Sequence, residues 1–253
     1  LIDLYIFTSS LKEFFRVKRI AWWLLVAVAV YFISWTFAHR LPGVSARDAY
    51  ILLSASLVFR ILPLCAAIFS TAVINQEVTQ RTIVYLLTRP IPRWKLLVYR
   101  ALAASVVVAF VSIVTDLSVC LAVGTSQASL MAHDIQAIAV GSLAYTTLFT
   151  LVSLFVNKPM VVCLLFSFVW ETAVPEIPGD LYRVTISGYL TSIAHRPVMD
   201  SPGGALDALA GLLGVNVIPS GVAWAAMLGF AAFCLGFGAF WFSNFEYMAR
   251  EDD

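Results

Sequence analysis

INQEVTQRTIVYLLTRPIPRWKLLVYR, from Ile74 to Arg100, is the most charged internal stretch of the chain and lies between two long apolar runs. It holds Glu77, Arg81, Arg89, Arg93, Lys95 and Arg100, together with Pro90 and Pro92. At about 100° per residue, Ile83, Leu86 and Leu87 gather on one side of a helix and Glu77, Gln80, Arg81 and Thr88 on the other. Glu77 and Arg81 stand four residues apart and can pair. Arg89-Pro90-Ile91-Pro92 then stops the helix, because each proline restricts its predecessor and lacks an N–H. The spacing predicts a short helix over 76–89, held against a membrane by one face and offering the other to the cytoplasm. Such an element suits docking by a soluble partner. A loop of cations that merely fixes topology is the alternative reading of the same residues.

The surrounding chain supports a membrane setting. Of 253 residues, 61% are hydrophobic and 12% charged, and the mean hydropathy is +0.90. A soluble domain carries about twice that charge. A helix needs about 20 apolar residues to cross a hydrocarbon core of roughly 30 Å. Six runs qualify as candidates: 20–38, 51–74, 97–123, 135–156, 159–174 and 219–243, the fifth being short before Glu171 and Pro175. Two briefer apolar pieces, 181–195 and 205–218, are broken by Pro197, Pro202, Gly203 and Gly204. They read as helical or re-entrant pieces within an outer segment, 175–218. The expected fold is an all-α polytopic membrane protein with a single transmembrane domain over 1–253.

Lys and Arg in the connections set the orientation. With the N-terminus inside, eleven fall inside: Lys12, Arg16, Lys18, Arg19, Arg81, Arg89, Arg93, Lys95, Arg100, Lys158 and Arg250. Four fall outside: Arg40, Arg47, Arg183 and Arg196. Both termini are therefore expected in the cytoplasm. Leu4, Phe7, Leu11, Phe14 and Phe15 recur at helical spacing beside Lys12, Arg16, Lys18 and Arg19, which predicts an amphipathic interfacial helix over 1–19. No cleavable signal is expected at the start, since no small-residue cleavage site follows a short apolar core. A net charge of +1 gives no basic field for nucleic acid. Cys65, Cys120, Cys163 and Cys234 all lie in apolar runs without a C-x-x-C pair and read as small core residues.

Ionisable groups inside spans need partners or water. Arg60 lies about nine residues into the second predicted span and Asp116 about seven from the outer end of the third, so their depths match to within a few Å. They are expected to pair, directly or through water. A structural ion pair between neighbouring helices is the preferred reading and a polar lining of a transport route the other. Glu171, before Pro175 and Pro178, is a candidate for an outer gate beside the simpler reading of an interfacial carboxylate. His39, His133 and His195 all map to the outer side near Met131 and Met199, but without ligand spacing, so no metal site is assigned. Trp22, Trp23, Trp94, Trp170 and Trp241 fall near predicted interfaces, as an aromatic belt does. In the last span, Ala225, Gly229, Ala232, Gly236 and Gly238 permit close helix packing.

Glu77, Thr82, Leu86, Leu87, Pro90, Arg93 and Arg100 follow the pattern E-x4-T-x3-L-L-x2-P-x2-R-x6-[KR]. Placed after the second of six spans, this resembles the first cytoplasmic loop of type-2 ABC transporter permeases. The N-terminal helix and the broken segment before the last span are similar too. Arg81 stands where that family often has Gly, and Arg100 where it usually has Lys. The resemblance implies that 76–89 is a coupling helix docking a separate ABC ATPase through Glu77, Gln80, Arg81, Thr82, Thr88, Arg89 and Arg93. It implies a non-enzymatic permease subunit, with ATP and Mg on the ATPase and no cofactor on this chain, which has no G-x4-G-K-[ST] phosphate loop. It further implies a second permease copy, as a homodimer or related heterodimer, an exporter's direction, and a place in the cytoplasmic (inner) membrane bilayer. A secondary transporter or channel needing no ATPase is the competing reading. An intramembrane enzyme lacks a catalytic constellation: no H-E-x-x-H and no G-x-S-x-G occurs.

Overall fold

The computed structural model describes residues 2–15, 17–40, 45–79, 92–124, 128–174, 183–196 and 218–244. Among these residues all regular structure is helical. In chain order α1 spans Ile2–Phe14, α2 Val17–Arg40, α3 Ala46–Leu53 and α4 Phe59–Thr79, a π turn over Ser54–Val58 joining α3 to α4. Then come α5, Arg93–Val123, and α6, Ala128–Phe155. Next, α7, Pro159–Leu165, runs through a second π turn, Phe166–Trp170, into α8, Glu171–Ala173. The short α9, Ile186–Ile193, and α10, Ser220–Asn244, complete the order.

Among the described residues five helices are long and apolar enough to cross a membrane: Ala21–Arg40, Ala46–Val73, Trp94–Val123, Ser129–Phe155 and Ser220–Asn244. The predicted fifth span forms the apolar helix Pro159–Ala173. At ~1.5 Å per residue it reaches roughly 22 Å, short of the hydrocarbon core. Several helices begin earlier than hydropathy places them. Ser45 caps α3, its Oγ accepting from Asp48 N at 3.1 Å, so the second span starts at Ala46 rather than 51. The fourth starts at Ala128, which draws His133 and Asp134 into the helix.

The bundle is organised around α6, which packs against α4, α5, α7, α9 and α10. Its buried serine and threonine hydroxyls find acceptors on their own helix: Thr146 Oγ1 donates to Ser142 O at 2.6 Å and Thr150 Oγ1 to Thr146 O at 2.7 Å. The periphery is the reverse. On α2, Trp22, Leu25, Phe32 and Ile33 are exposed, as expected of a face solvated by lipid tails. Phe14 and Trp23 hold α1 and α2 to the core by meeting Phe69 at centroid distances of 6.1 and 6.0 Å. Phe7, Leu11 and Phe15 of the N-terminal segment also pack on the core, while Lys12 is exposed. All four cysteines are free and buried. In α10, a Cβ on Gly238 would touch Leu151 at 3.5 Å, whereas one on Gly229 or Gly236 would meet nothing within 4 Å.

The predicted coupling helix falls mainly outside the described residues. Backbone up to Thr79 continues α4, and residues 80–91, with Gln80, Arg81, Thr82, Thr88 and Arg89, are not described. The backbone of Glu77 belongs to the last turn of α4, and Arg93 opens α5. Of the outer segment, 175–182 and 197–217 lie outside the described residues, and so does the apolar piece 205–218 up to 217.

The piece 181–195 contains α9, which lies on α6 and α10 with Leu190 and Ile193 buried. Close approach of α9 requires Gly141: a Cβ there would stand 2.7 Å from Leu190 Cδ1 and 2.9 Å from Leu62 Cδ2. Both leucines are buried and have little room to withdraw. Gly141→Ile is therefore expected to lower stability by ~1–3 kcal/mol through overpacking. Thermal unfolding in detergent checks this, and Leu190→Ala in the same background is expected to recover part of the loss.

Candidate functional site

The described polar chemistry concentrates where α3, α5, α6 and the end of α9 meet. Four elements each contribute one side chain. Tyr50 comes from α3, Asp116 from α5, Asp134 from α6, and Arg196 follows α9. Their relative exposures are 0%, 0%, 1% and 8%.

Local backbone structure aims each group. Residue His195 adopts φ 51°, a left-handed conformation uncommon for a non-glycine residue. It ends α9 in a Schellman turn, with Arg196 N donating to Thr191 O at 3.0 Å and His195 N to Ser192 O at 3.3 Å. The reversal sends Arg196 into the bundle. There its Nε donates to Asp134 Oδ1 at 3.2 Å and its Nη2 to Asp134 Oδ2, a two-pronged ion pair. Nη1 donates to Ile51 O at 3.1 Å, Nη2 also reaches Ser54 Oγ, and the guanidinium lies 4.6 Å from the Phe59 ring centroid. Ser54 opens the π turn, and its Oγ donates in turn to Tyr50 O at 2.6 Å. Tyr50 Oη stands between the two carboxylates, 3.0 and 3.2 Å from the oxygens of Asp116 and 2.8 Å from Asp134 Oδ2.

The other end of α9 is held by Glu171. Its Oε1 accepts from Ile186 N at 3.2 Å and its Oε2 from Ser187 N at 3.1 Å. Thr185 Oγ1 takes Gly188 N at 3.2 Å, so the first helical donors of α9 are satisfied. A carboxylate at a helix N-terminus also meets the favourable end of the helix dipole. The buried Tyr145 hydroxyl bonds the same carboxylate. One acid and one base thus clamp an eight-residue helix at its two ends.

The family model described as ABC-2 family transporter protein matches residues 39–246. The chain belongs to that family. None of the curated proteins matches it. It is accordingly a membrane-spanning permease of an ABC transporter, a transport subunit rather than an enzyme.

In this ABC-2 permease the sequence-predicted residues are placed as follows. The direct pair expected between Arg60 and Asp116 does not form. Asp116 is fully buried and takes hydrogen bonds from Tyr50, while Arg60 is exposed. The cause is the early start of the helix. Arg60 stands fourteen residues beyond Ala46, roughly 21 Å along the axis, whereas Asp116 is seven residues from Val123, roughly 10 Å. Glu171 caps α9. Arg196, counted above as an outer-loop cation, is buried in the cluster. Sequence reading missed Tyr50, Ser54, Asp134 and Arg196 as site residues. His133 and His195 come together with ring centroids 4.7 Å apart, while His39 packs on Trp35. Among the described residues no three His, Cys, Asp or Glu side chains form a metal-holding group.

Removing one partner of a buried pair leaves the other charge uncompensated, at about 3–5 kcal/mol. Arg196→Ala is expected to cost that much and to release α9. Arg196→Met combined with Asp134→Leu is expected to return most of the stability. Thermal unfolding of the purified permease, with proteolysis near α9 as a local readout, measures both.

Proposed function

We propose that this permease works as one of two membrane-spanning chains that together line an export route, driven by a separate ABC ATPase docking at 76–89. The observation that carries this reading is Arg60. It is an exposed cation about halfway along the apolar span Ala46–Val73, on a face shared with exposed Leu52, Ser56 and Ile68. A guanidinium there is costly to leave in lipid, so the face calls for water or a second chain. A polar route between two permease copies supplies both. Arg60, rather than the buried Asp116, then belongs to the pathway.

The connection from 80 to 91 supports the drive. It joins α4 and α5, the two helices that flank the central α6. Through the π turn, α4 is continuous with the helix bearing Tyr50, and α5 is an unbroken helix of 31 residues bearing Asp116. A push on this connection therefore reaches the cluster that grips α9. In this reading α9 closes the outer end, Glu171 and Arg196 are its two holds, α1 lies on the cytoplasmic interface, and both termini are cytoplasmic in the inner membrane. Helix Pro159–Ala173 serves as a short fifth of six spans.

Two measurements test this. Arg60→Leu is expected to leave thermal stability within about 1 kcal/mol of wild type, because no buried partner is lost, while lowering transport by at least tenfold. Unchanged transport would overturn the pathway assignment. Glu77→Ala combined with Arg81→Ala is expected to weaken co-purification with the ABC ATPase and to abolish ATP-dependent transport in vesicles. Full transport without the ATPase would instead establish a secondary transporter or channel.

A further inference from the structure

The cluster around Tyr50 has more acceptors than donors can serve. A tyrosine hydroxyl carries one proton and can donate it to one oxygen at a time. Tyr50 Oη nevertheless lies 2.8 Å from Asp134 Oδ2 and 3.0 Å from Asp116 Oδ1. If both carboxyls were ionised, one of these contacts would set two lone pairs against each other. Charge counting reaches the same point. Asp116 and Asp134 bring two negative charges into a site that has one guanidinium. Arg196 places Nε and Nη2 on the two oxygens of Asp134, so its charge belongs to that carboxylate.

Among the described residues no other group facing Asp116 supplies the missing positive charge. Facing Asp116 are Tyr50 from α3, Cys120 from its own helix α5, Asp134 from α6 and Arg196 after α9. His133, also on α6, has a buried Nδ1 without a hydrogen-bond partner. The exposed His195 ring turns its Nδ1 to Ile193 O at 2.9 Å and stacks on His133. Segments 41–44, 125–127, 175–182 and 197–217, which flank these elements in the chain, contain no Lys or Arg.

We propose that the cluster is a proton-binding site and that Asp116 holds the proton. The neutral Asp116 carboxyl donates to Tyr50 Oη, Tyr50 donates to the ionised Asp134, and Asp134 is held by Arg196. The four groups form one connected chain of hydrogen bonds from α5 to the end of α9, its donors converging on Asp134, with charges balanced. Loss of the proton to water would set two carboxylates against one hydroxyl and loosen the hold on Arg196. The grip on α9 is thereby tied to a proton, independently of whether an ATPase drives the permease.

Infrared spectroscopy of the permease reconstituted in phosphatidylcholine vesicles in sodium-free buffer at neutral pH tests this. The wild type is expected to show a protonated-carboxyl C=O band that shifts when carboxyl-¹³C aspartate is incorporated. Tyr50→Phe is expected to move the band to higher frequency by removing the acceptor of the Asp116 proton. Asp116→Asn, an isostere of the neutral acid, is expected to abolish the band while keeping the melting temperature within about 3 °C of wild type. Wild-type stability is expected to fall as pH rises, because the folded chain holds a proton that the unfolded chain releases, and Asp116→Asn is expected to lose that dependence. Absence of the band in labelled wild type would overturn the proposal whether or not the variants fold. A band that survives Asp116→Asn would overturn it too, as would stability that follows sodium concentration rather than pH.

Discussion

Burying an arginine is the constraint around which this permease is arranged. A guanidinium taken out of water is tolerated only if its donors are met by acceptors of fitting geometry and its charge by an opposite one. Arg196 finds both, but from four separate places: the carboxylate of Asp134 on α6, a backbone carbonyl on α3, a hydroxyl in the π turn, and the face of Phe59 at the start of α4. None of these is near Arg196 in sequence. The requirement to satisfy it therefore fixes how α9 sits on the bundle more narrowly than apolar contact can, since apolar contact has no direction.

The two ends of α9 show different solutions to the same problem. At its start, unbonded N–H groups attract the Glu171 carboxylate, and the short helix itself supplies the compensating partial charge. At its end, the Schellman turn completes the backbone bonding, and the following side chain makes the long-range contact. Gly141 removes the one side chain that would hold α9 off α6. Apolar packing and polar clamping thus act together on this eight-residue helix.

Much of the architecture was legible in the apolar runs, because an uninterrupted stretch of lipid-compatible residues has few other uses. Their ends were not. Tyr50 lies one residue before the predicted second span, Asp134 one before the predicted fourth, and Arg196 one after the apolar piece ending at 195. Hydropathy assigns each residue a cost as if it faced lipid alone, so each run was closed at the first polar group. The helices continue because these groups satisfy one another, and a mutual contact between residues 62 to 84 positions apart leaves no trace in a local average. A usable signal did exist: three polar residues bordering three different apolar runs, all on the same predicted side. Glu171 was singled out for its position, yet its partners, two backbone amides of a helix fifteen residues on, have no sequence signature at all.

The π turn over Ser54–Val58 has a consequence for helical phase. In an uninterrupted α-helix, ten residues separate Tyr50 from Arg60 by roughly 80° of rotation, near enough to share a side. One surplus residue in a turn retards everything beyond it by about a residue's rotation, which brings the separation to roughly 180°. A single extra amino acid therefore sorts the polar side chains of one membrane rod into two compartments, Tyr50 and Ser54 inward, Arg60 outward. Straightening that turn into regular α-helix, with no residue removed, would return Arg60 toward the packed interior without changing the composition of the span.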